Sequence, residues 1–478
     1  MTDTYTARPR PVLVMPPSTI SVAIGALLSA IVVLNLLHGF GMKDGTSLIA
    51  DAFSVLVLVL LAPQVGGSRH VFLALSILIA IYCLVYLPSP GSLLKPALDQ
   101  ASFIIAFFCA LASLQHVAGR SAAISRAASF LANQSPGRRY LALGFGTQIF
   151  ALILNYGALS LLGTLAYRAA ERERDPAVRA LRSRRMLQGA QCGFAAALCW
   201  SPLAFATVIT SSLVPGARLG AVILHGLGSG LIIVSVGWLV DRRLKHSLPT
   251  GTVVAPRDQT AARDARSLWP LAWLLLSVAI PAVLLGVFAG VTPSRSVLGL
   301  VPLIAMIWIL IEAETGRKAQ ELAERSSHYL FRDLPSFKSE LVLLSTAGFI
   351  GTATGALIAH WIAAAGADLS LIPVRLLLVL PLVLVPLAGQ FGMNPILFVS
   401  LFAQLLPPPA ELGISPVSLV LALTGGWALA APTSPFTASV MIISRIGKVT
   451  PKEVAFKWNG IFVVLAAIGL AVWVQLLA

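Results

Sequence analysis

Apolar runs of roughly 20 residues recur along this chain from residue 19 to its last residue. No other feature limits the fold as much. A helix rises about 1.5 Å per residue, so about 20 apolar residues cross the roughly 30 Å hydrocarbon core of a bilayer with every backbone group paired internally. Hydrophobic residues make up 57% of the 478 and charged residues 11%, against about 25% charged in a soluble globular chain. No stretch is polar for long enough to form a separate soluble domain. The expected fold class is therefore an all-α polytopic membrane protein. Residues 1–18 are Pro-rich and basic, with no small-residue cleavage site before a short apolar core. They read as a cytoplasmic tail rather than a cleaved signal peptide.

Candidate spans are 19–38, 48–63, 70–88, 101–118, 140–167, 187–213, 218–240, 268–290, 294–314, 340–364, 372–408, 416–445 and 457–478. The formal net charge is +15. In a soluble protein that would suggest nucleic acid, but here the basic residues sit in short loops between spans. Loops 119–139, 168–186, 241–267, 315–338 and 445–457 carry 4, 7, 6, 5 and 4 of the 34 Lys and Arg. With Arg8, Arg10 and Arg69 they hold all but Lys43, Lys95, Arg218, Arg295 and Arg375. By the positive-inside rule these loops and the N-terminus are cytoplasmic and the C-terminus periplasmic, in an inner membrane. Cys83, Cys109, Cys192 and Cys199 all lie in apolar spans without metal-like spacing, and read as small buried hydrophobes.

This orientation creates a parity conflict. Loops 119–139 and 168–186 are both basic, so segment 140–167 must leave and return on one side. It has 28 residues, where two crossings need about 40 and one about 20. A re-entrant hairpin fits, with the turn signal Asn155-Tyr156-Gly157 at its middle. Segment 372–408 has a similar breaker cluster, Gly389 to Pro395. Two short crossings would also satisfy parity there, but a hairpin matches the first half.

Each expected hairpin precedes a long apolar segment broken in its middle. The first, 187–213, carries Trp200-Ser201-Pro202; the second, 416–445, carries Thr433-Ser434-Pro435. Asn155 precedes Ser201 by 46 positions, and Asn394 precedes Ser434 by 40. The order of spans, basic loop, hairpin, broken helix and closing span occurs twice. The expected architecture is thus an N-terminal repeat, 19–240, a cytoplasmic linker, 241–267, and an inverted C-terminal repeat, 268–478, with about 11 transmembrane helices plus two hairpins.

In inverted repeats the site lies near mid-membrane, where broken helices meet. Proline removes a donor and frees a carbonyl, which can coordinate Na⁺. The half-helix that follows presents unpaired N–H groups and a positive dipole end, suited to a carboxylate or oxyanion. The candidate substrate-binding residues are Asn155, Gly157, Ser201, Asn394, Thr433 and Ser434, of which Asn155, Ser201, Asn394 and Ser434 are also candidate ion ligands. No cofactor or metal is expected beyond Na⁺ as a coupling ion. Each signal has a plainer reading: Pro often only kinks a membrane helix, a lone Asn is often interhelical glue, and Thr207, Thr210, Thr437 and Ser439 often bond back to their own helix. His116, His225 and His360 are weaker candidates for proton coupling. Asp51 is the most membrane-embedded acid, three residues inside its span, and Glu312 and Glu314 sit at a span end.

The layout resembles the ion transporter superfamily, which includes divalent-anion/sodium symporters, citrate and arsenite permeases and the large membrane subunits of TRAP transporters. The resemblance spans nearly the whole chain. It rests on the Asn155 hairpin, the Ser201-Pro202 break, the Asn394-Pro395 hairpin and the Thr433-Ser434-Pro435 break. Where the dicarboxylate/sodium branch has Ser-Asn-Thr at its tips, this chain has Asn155-Tyr156-Gly157 and Met393-Asn394-Pro395, so only the Asn matches. The resemblance implies a homodimer whose transport domains move as elevators. The expected function is ion-coupled secondary transport of a small organic anion, a carboxylate above all, using Na⁺ or H⁺, with lipid and substrate as partners and no nucleic acid. The alternatives are a cation/proton antiporter, which needs an embedded carboxylate such as Asp51, and a membrane subunit fed by a periplasmic binding protein. A membrane enzyme lacks support: the sequence has no paired carboxylates, zinc-spaced His or nucleophile motif. A channel suits two opposed half-crossing hairpins less well than alternating access does.

Overall fold

The apolar runs close as helices that stop where the sequence supplies a breaker or a cap. The computed structural model describes residues 18–42, 45–119, 121–243, 265–289, 293–364 and 373–478. The first half contains α1 (Thr19–Gly39), α2 (Thr46–Leu61), α3 (Ser68–Tyr86), α4 (Gly91–Ala118), α5 (Ala122–Ala132), α6 (Pro136–Leu154), α7 (Tyr156–Glu171), α8 (Pro176–Ala197), α9 (Phe205–Leu213) and α10 (Leu219–Arg243). The second contains α11 (Trp269–Ala289), α12 (Pro293–Glu312), α13 (Lys318–His328), α14 (Leu334–Ser336), α15 (Lys338–Ala364), α16 (Val374–Gln390), α17 (Pro395–Leu405), α18 (Pro416–Thr433), α19 (Ala438–Gly447) and α20 (Gly460–Leu476). Single π-helical turns occupy Tyr329–Asp333 and Glu453–Trp458.

Eight helical stretches among the described residues are long and apolar enough to cross a membrane: Thr19–Gly39, Thr46–Gln64, Arg69–Tyr86, Gly91–Ala118, Leu219–Arg243, Arg295–Glu312, Lys338–Trp361 and Pro416–Gly447. The expected count of about 11 goes beyond these eight; Trp269–Ala282, Val374–Gln390 and Gly460–Leu476 are shorter apolar helices. Helix α17, within the expected hairpin 372–408, has 11 residues and reaches about 16 Å at 1.5 Å per residue, half the hydrocarbon thickness. Most of the tail, residues 1–17, and of the linker, residues 244–264, lies outside the described residues.

Three boundaries differ from the sequence reading for identifiable reasons. Helix α4 starts at Gly91 rather than 101 because its charged first turns are paired: Lys95 bonds Asp99 one turn on and Asp51 of α2 at 2.9 Å. Segment 119–139 contains α5, whose Ile124, Ala127, Ala128 and Leu131 form a buried stripe at helical spacing. In 168–186 the Asp175 carboxylate caps α8, accepting from Ala177 N at 2.8 Å, so Arg179 to Arg185 ride on a helix. Arg185 then pairs with Asp241 at the end of α10 through two bonds of 2.7 and 2.6 Å.

The core is built round the two broken helices. Every residue of α18 from Ser418 to Thr433 is buried, and so is α8 from Gly189 to Ala197. Helix α8 packs on α6 and α7; α18 packs on α16, α20, α10, α9 and α8. A glycine on each of α8 and α18 sets a close crossing. A Cβ on Gly193 would lie 2.0 Å from the Gly144 carbonyl oxygen, and one on Gly426 would lie 2.3 Å from that of Pro381. Ser201 and Ser434 each follow their glycine by eight residues. Helix α7 packs on α19, and α17 on α9. The arm after each tip therefore lies against the second half of the other half's broken helix.

Candidate functional site

The two tips are built differently. At the first, Asn155 alone joins α6 to α7, with φ 48° and ψ −123°. A side chain is strained in that region, where glycine is not. Among the described residues the Asn155 side chain makes no hydrogen bond, and α6 and α7 pack together across the turn. Gly157 lies one residue into α7, at the surface. At the second tip, Gly392 takes φ 80° and closes α16, with Met393 N bonding back to the Ala388 carbonyl. Asn394 then opens α17: its Oδ1 accepts from Ile396 N at 2.9 Å, with Pro395 in the first turn. One oxygen of Asn394 is thus committed to a helix cap, a local role the sequence reading did not assign.

The two breaks share one local chemistry. Ser201 Oγ accepts from Leu203 N at 3.1 Å, and Ser434 Oγ accepts from Phe436 N at 3.3 Å. Each serine caps the residue after its proline, a turn that competes with the helix. The carbonyl three residues before each serine is then taken by a hydroxyl from beyond the break. Thr207 Oγ1 donates to Leu198 O at 3.0 Å; Thr437 Oγ1 donates to Ala431 O at 2.8 Å, and Ser439 Oγ donates to the same oxygen. Ser201 and Ser434 are 1% exposed and Thr433 8%. Such burial requires that each polar atom find a partner. Thr433 Oγ1 meets this by bonding back to Leu429 O at 2.6 Å.

A glutamine from the preceding helix braces each break. Gln148 of α6 accepts from Trp200 Nε1 at 2.8 Å, and Gln390 of α16 donates to the Thr433 carbonyl at 3.0 Å. Trp200 and Thr433 each stand immediately before the break serine. In addition Ser434 Oγ donates to the Gly389 carbonyl at 2.6 Å, so the second tip and second break are bonded directly.

The half-helices beyond the breaks start bare. Neither α9 nor α19 has a side-chain cap at its N-terminus. By contrast α8, α17 and α18 are capped by Asp175, Asn394 and Ser415. The hydroxyls near the breaks bond to carbonyls and leave the first-turn N–H groups of α9 and α19, which point back toward the breaks, without a side-chain cap. A bare helix start with a positive dipole end is suited to an anion.

Of the residues expected from sequence, Thr433 and Ser434 are bonded to the end of α16 at the second tip, through Gln390 and Gly389. No hydrogen bond among the described residues joins Asn155, Ser201 or Gly157 to Asn394, Thr433 or Ser434. Among the bonds that do join the two halves is a buried pair missed by sequence reasoning. Asn459 Nδ2 donates to Gln191 Oε1 at 2.9 Å, and to the Pro432 and Val454 carbonyls at 3.3 and 2.9 Å. Asn459 follows a π-helical turn and Gln191 lies on α8, so no spacing rule links them. His116 bonds Asp333, His225 bonds back to Ala221 O at 2.8 Å, and His360 is exposed on α15. The four cysteines are buried and unpaired.

A cavity of about 1390 Å³ is lined by Trp200, Pro202 and Leu203 and by Asn35, Asp51 and Asp99. It reaches the first break but is not lined by Asn155, Ser201, Asn394, Thr433 or Ser434. Asp51 is buried and ion-paired with Lys95.

No family model and no curated protein matches the chain. Solved structures do. The YdaH transporter of Alcanivorax borkumensis superposes with a TM-score of 0.53 at 16% identity, over 86% of this chain and 99% of its own. MtrF of Neisseria gonorrhoeae, described among a class of antimetabolite efflux pumps, gives 0.52 at 15%, over 87% of this chain and 96% of its own. The fold is thus shared with these two membrane transporters. The likeness is to transporters in a distant sense and not specifically to the ion transporter superfamily.

Proposed function

We propose that this chain is a secondary transporter that moves a small organic anion, coupled to Na⁺ or H⁺, by alternating access of two inverted repeats. The observation that carries the proposal is the paired construction at the breaks. Each has a Ser-Pro turn, a backward-bonded hydroxyl on the carbonyl three residues earlier, a glutamine brace and a bare half-helix start. The glycine eight residues before each serine and the exchanged packing of α7 on α19 and α17 on α9 support a pseudo-twofold relation between the halves. On this reading the tips at Asn155 and Asn394 are re-entrant, and the half-helices α9 and α19 offer N–H groups to the solute from opposite sides. Because the hydroxyls already occupy Leu198 O and Ala431 O, the breaks favour an anion more than a carbonyl-ligated cation. A homodimer with an elevator motion remains part of the proposal, resting on the family resemblance. MtrF's description as an efflux pump makes export as fair a direction to test as uptake.

The experiment is a thermal-shift series on purified protein with succinate, citrate, phosphate and sulfate, each with and without Na⁺, followed by flux of the responding anion in proteoliposomes of both orientations. A ligand at 100 times its Kd stabilises the folded state by about 2.7 kcal/mol. The expected result is a shift with at least one anion, lost in Ser434→Ala or Asn155→Ala protein that remains monodisperse. Shifts with none of the four anions, or shifts with cations alone, refute the anion reading.

A further inference from the structure

Five basic residues depart from the charge pattern that places Lys and Arg in the cytoplasmic loops: Lys43, Lys95, Arg218, Arg295 and Arg375. Random exceptions would scatter through the fold. Arg218, at the start of α10, and Arg295, on α12, both line the 1390 Å³ cavity. Lys95 holds two of its acidic residues, Asp51 at 2.9 Å and Asp99. The charges within the cavity are therefore unequal in availability. Both carboxylates are tied to one ammonium. Neither Arg218 nor Arg295 has an ion-pair partner among the described residues, and Arg295 makes only a 3.4 Å bond to the Gly39 carbonyl. His38 lines the same space.

A second observation is independent of charge. Four residues lining this cavity each carry a buried polar atom with no hydrogen-bond partner among the described residues: His38 Nδ1, Asp51 Oδ1, Gln100 Nε2 and Ser211 Oγ. They come from α1, α2, α4 and α9. Asp51 itself is 4% exposed. Native interiors satisfy such atoms, and a group of orphans round one void marks water or a polar solute within it. Apolar cavities carry no such atoms and stay dry.

We propose that this cavity is a water-filled, anion-selecting vestibule in which Arg218 and Arg295 draw a small organic anion towards the first helix break. The proposal deepens the transport reading and rests on it for what lies beyond the vestibule. A cleft lined by charge of one sign with low-dielectric walls focuses its field and raises the local concentration of the opposite ion. Lys95 offsets one of the two negative charges of Asp51 and Asp99, so the two arginines still leave the cavity a surplus of positive charge. The bare start of α9 continues the same sign of potential beyond Trp200, Pro202 and Leu203.

The test needs no knowledge of the substrate. In a background with the four native cysteines replaced by alanine, Phe103→Cys places a thiol on α4 within the cavity wall. Protein in lipid nanodiscs is reacted with an anionic sulfonatoethyl methanethiosulfonate and with a cationic trimethylammonioethyl one, each rate normalised to a free thiol. The anionic reagent is expected to react about tenfold faster. Arg218→Gln with Arg295→Gln should bring the ratio close to one, while Arg218→Lys with Arg295→Lys should preserve it. Ser212→Cys on the same cavity serves if Phe103→Cys does not fold. Leu224→Cys, 67% exposed on α10, is the lipid-facing control and should react with neither. Equal rates in the parent, a ratio unmoved by the glutamine pair, or no reaction with either reagent overturns the proposal. Because labelling is read without transport, it can succeed where the anion thermal shift fails, and the reverse.

Discussion

Replacing Asn155 by glycine should make this protein more stable and, if the transport reading holds, less active. The residue sits at φ 48° and ψ −123°, where a side chain is held at a cost of about 1–3 kcal/mol. Glycine releases that strain but returns about 0.4–1 kcal/mol through its greater freedom in the unfolded chain. The Asn155 side chain makes no hydrogen bond among the described residues, so its deletion loses little else. The net expectation is a gain of about 1 kcal/mol. A chain of 478 residues has a large unfolding entropy, so the rise in Tm is only about 1–2 °C. Asn155→Ala keeps the strain and should stay within about 0.5 kcal/mol of the parent. Intrinsic fluorescence melts in nanodiscs, run on all three proteins, separate these outcomes. If Asn155→Gly melts below the parent, the one-residue turn between α6 and α7 is not strained as described. If it melts higher and still shows the anion-induced shift, the Asn155 amide has no part in binding.

Two further outcomes follow from the packing. Gly193→Ala and Gly426→Ala must push their neighbours aside, because a Cβ would stand 2.0 and 2.3 Å from carbonyl oxygens. Each should cost about 1–3 kcal/mol by denaturation, whereas Gly220→Ala, which meets nothing within 4 Å, should stay within about 0.5 kcal/mol; equal melts would deny the close crossings. Asn459→Leu strands Gln191 Oε1 and the Pro432 and Val454 carbonyls and should cost more than about 2 kcal/mol, with lowered expression if the protein is tested in cells.

The membrane class, the helix positions and the two breaks were legible because their causes are local. A proline after a serine in an apolar run predicts a broken helix wherever the run is packed, and both Ser201-Pro202 and Ser434-Pro435 break theirs. The Gly392 and Asn394-Pro395 signals likewise place the second tip by C-cap and N-cap chemistry alone. What was not legible depends on partners far apart in sequence. The early start of α4 needs Asp51 to receive Lys95, 44 residues away. The Gln191–Asn459 bond spans 268 residues. Span lengths were legible only in part: α16 and α20 each close at 17 residues, about 26 Å at 1.5 Å per residue. The use of Asn394 Oδ1 as a cap was available from its position before Pro395, but the repeat argument drew attention to its amide as a ligand.

The charge rule itself held the most informative clue, in its exceptions. Lys and Arg in cytoplasmic loops report how the chain was inserted, and little more can be inferred from any one of them. A basic residue outside that pattern is retained against the same bias, so it needs a reason in the folded protein. Lys95 has one in Asp51 and Asp99, which neutralise it within a helix pair. Among the described residues Arg218 and Arg295 have no carboxylate to neutralise them, although they border the same cavity as two acids. A fold could remove the imbalance by pairing each arginine with its own acid, as Arg185 is paired with Asp241. That this cavity instead spends one lysine on two acids and leaves two guanidinium groups open is the arrangement expected where the missing negative charge arrives with the solute.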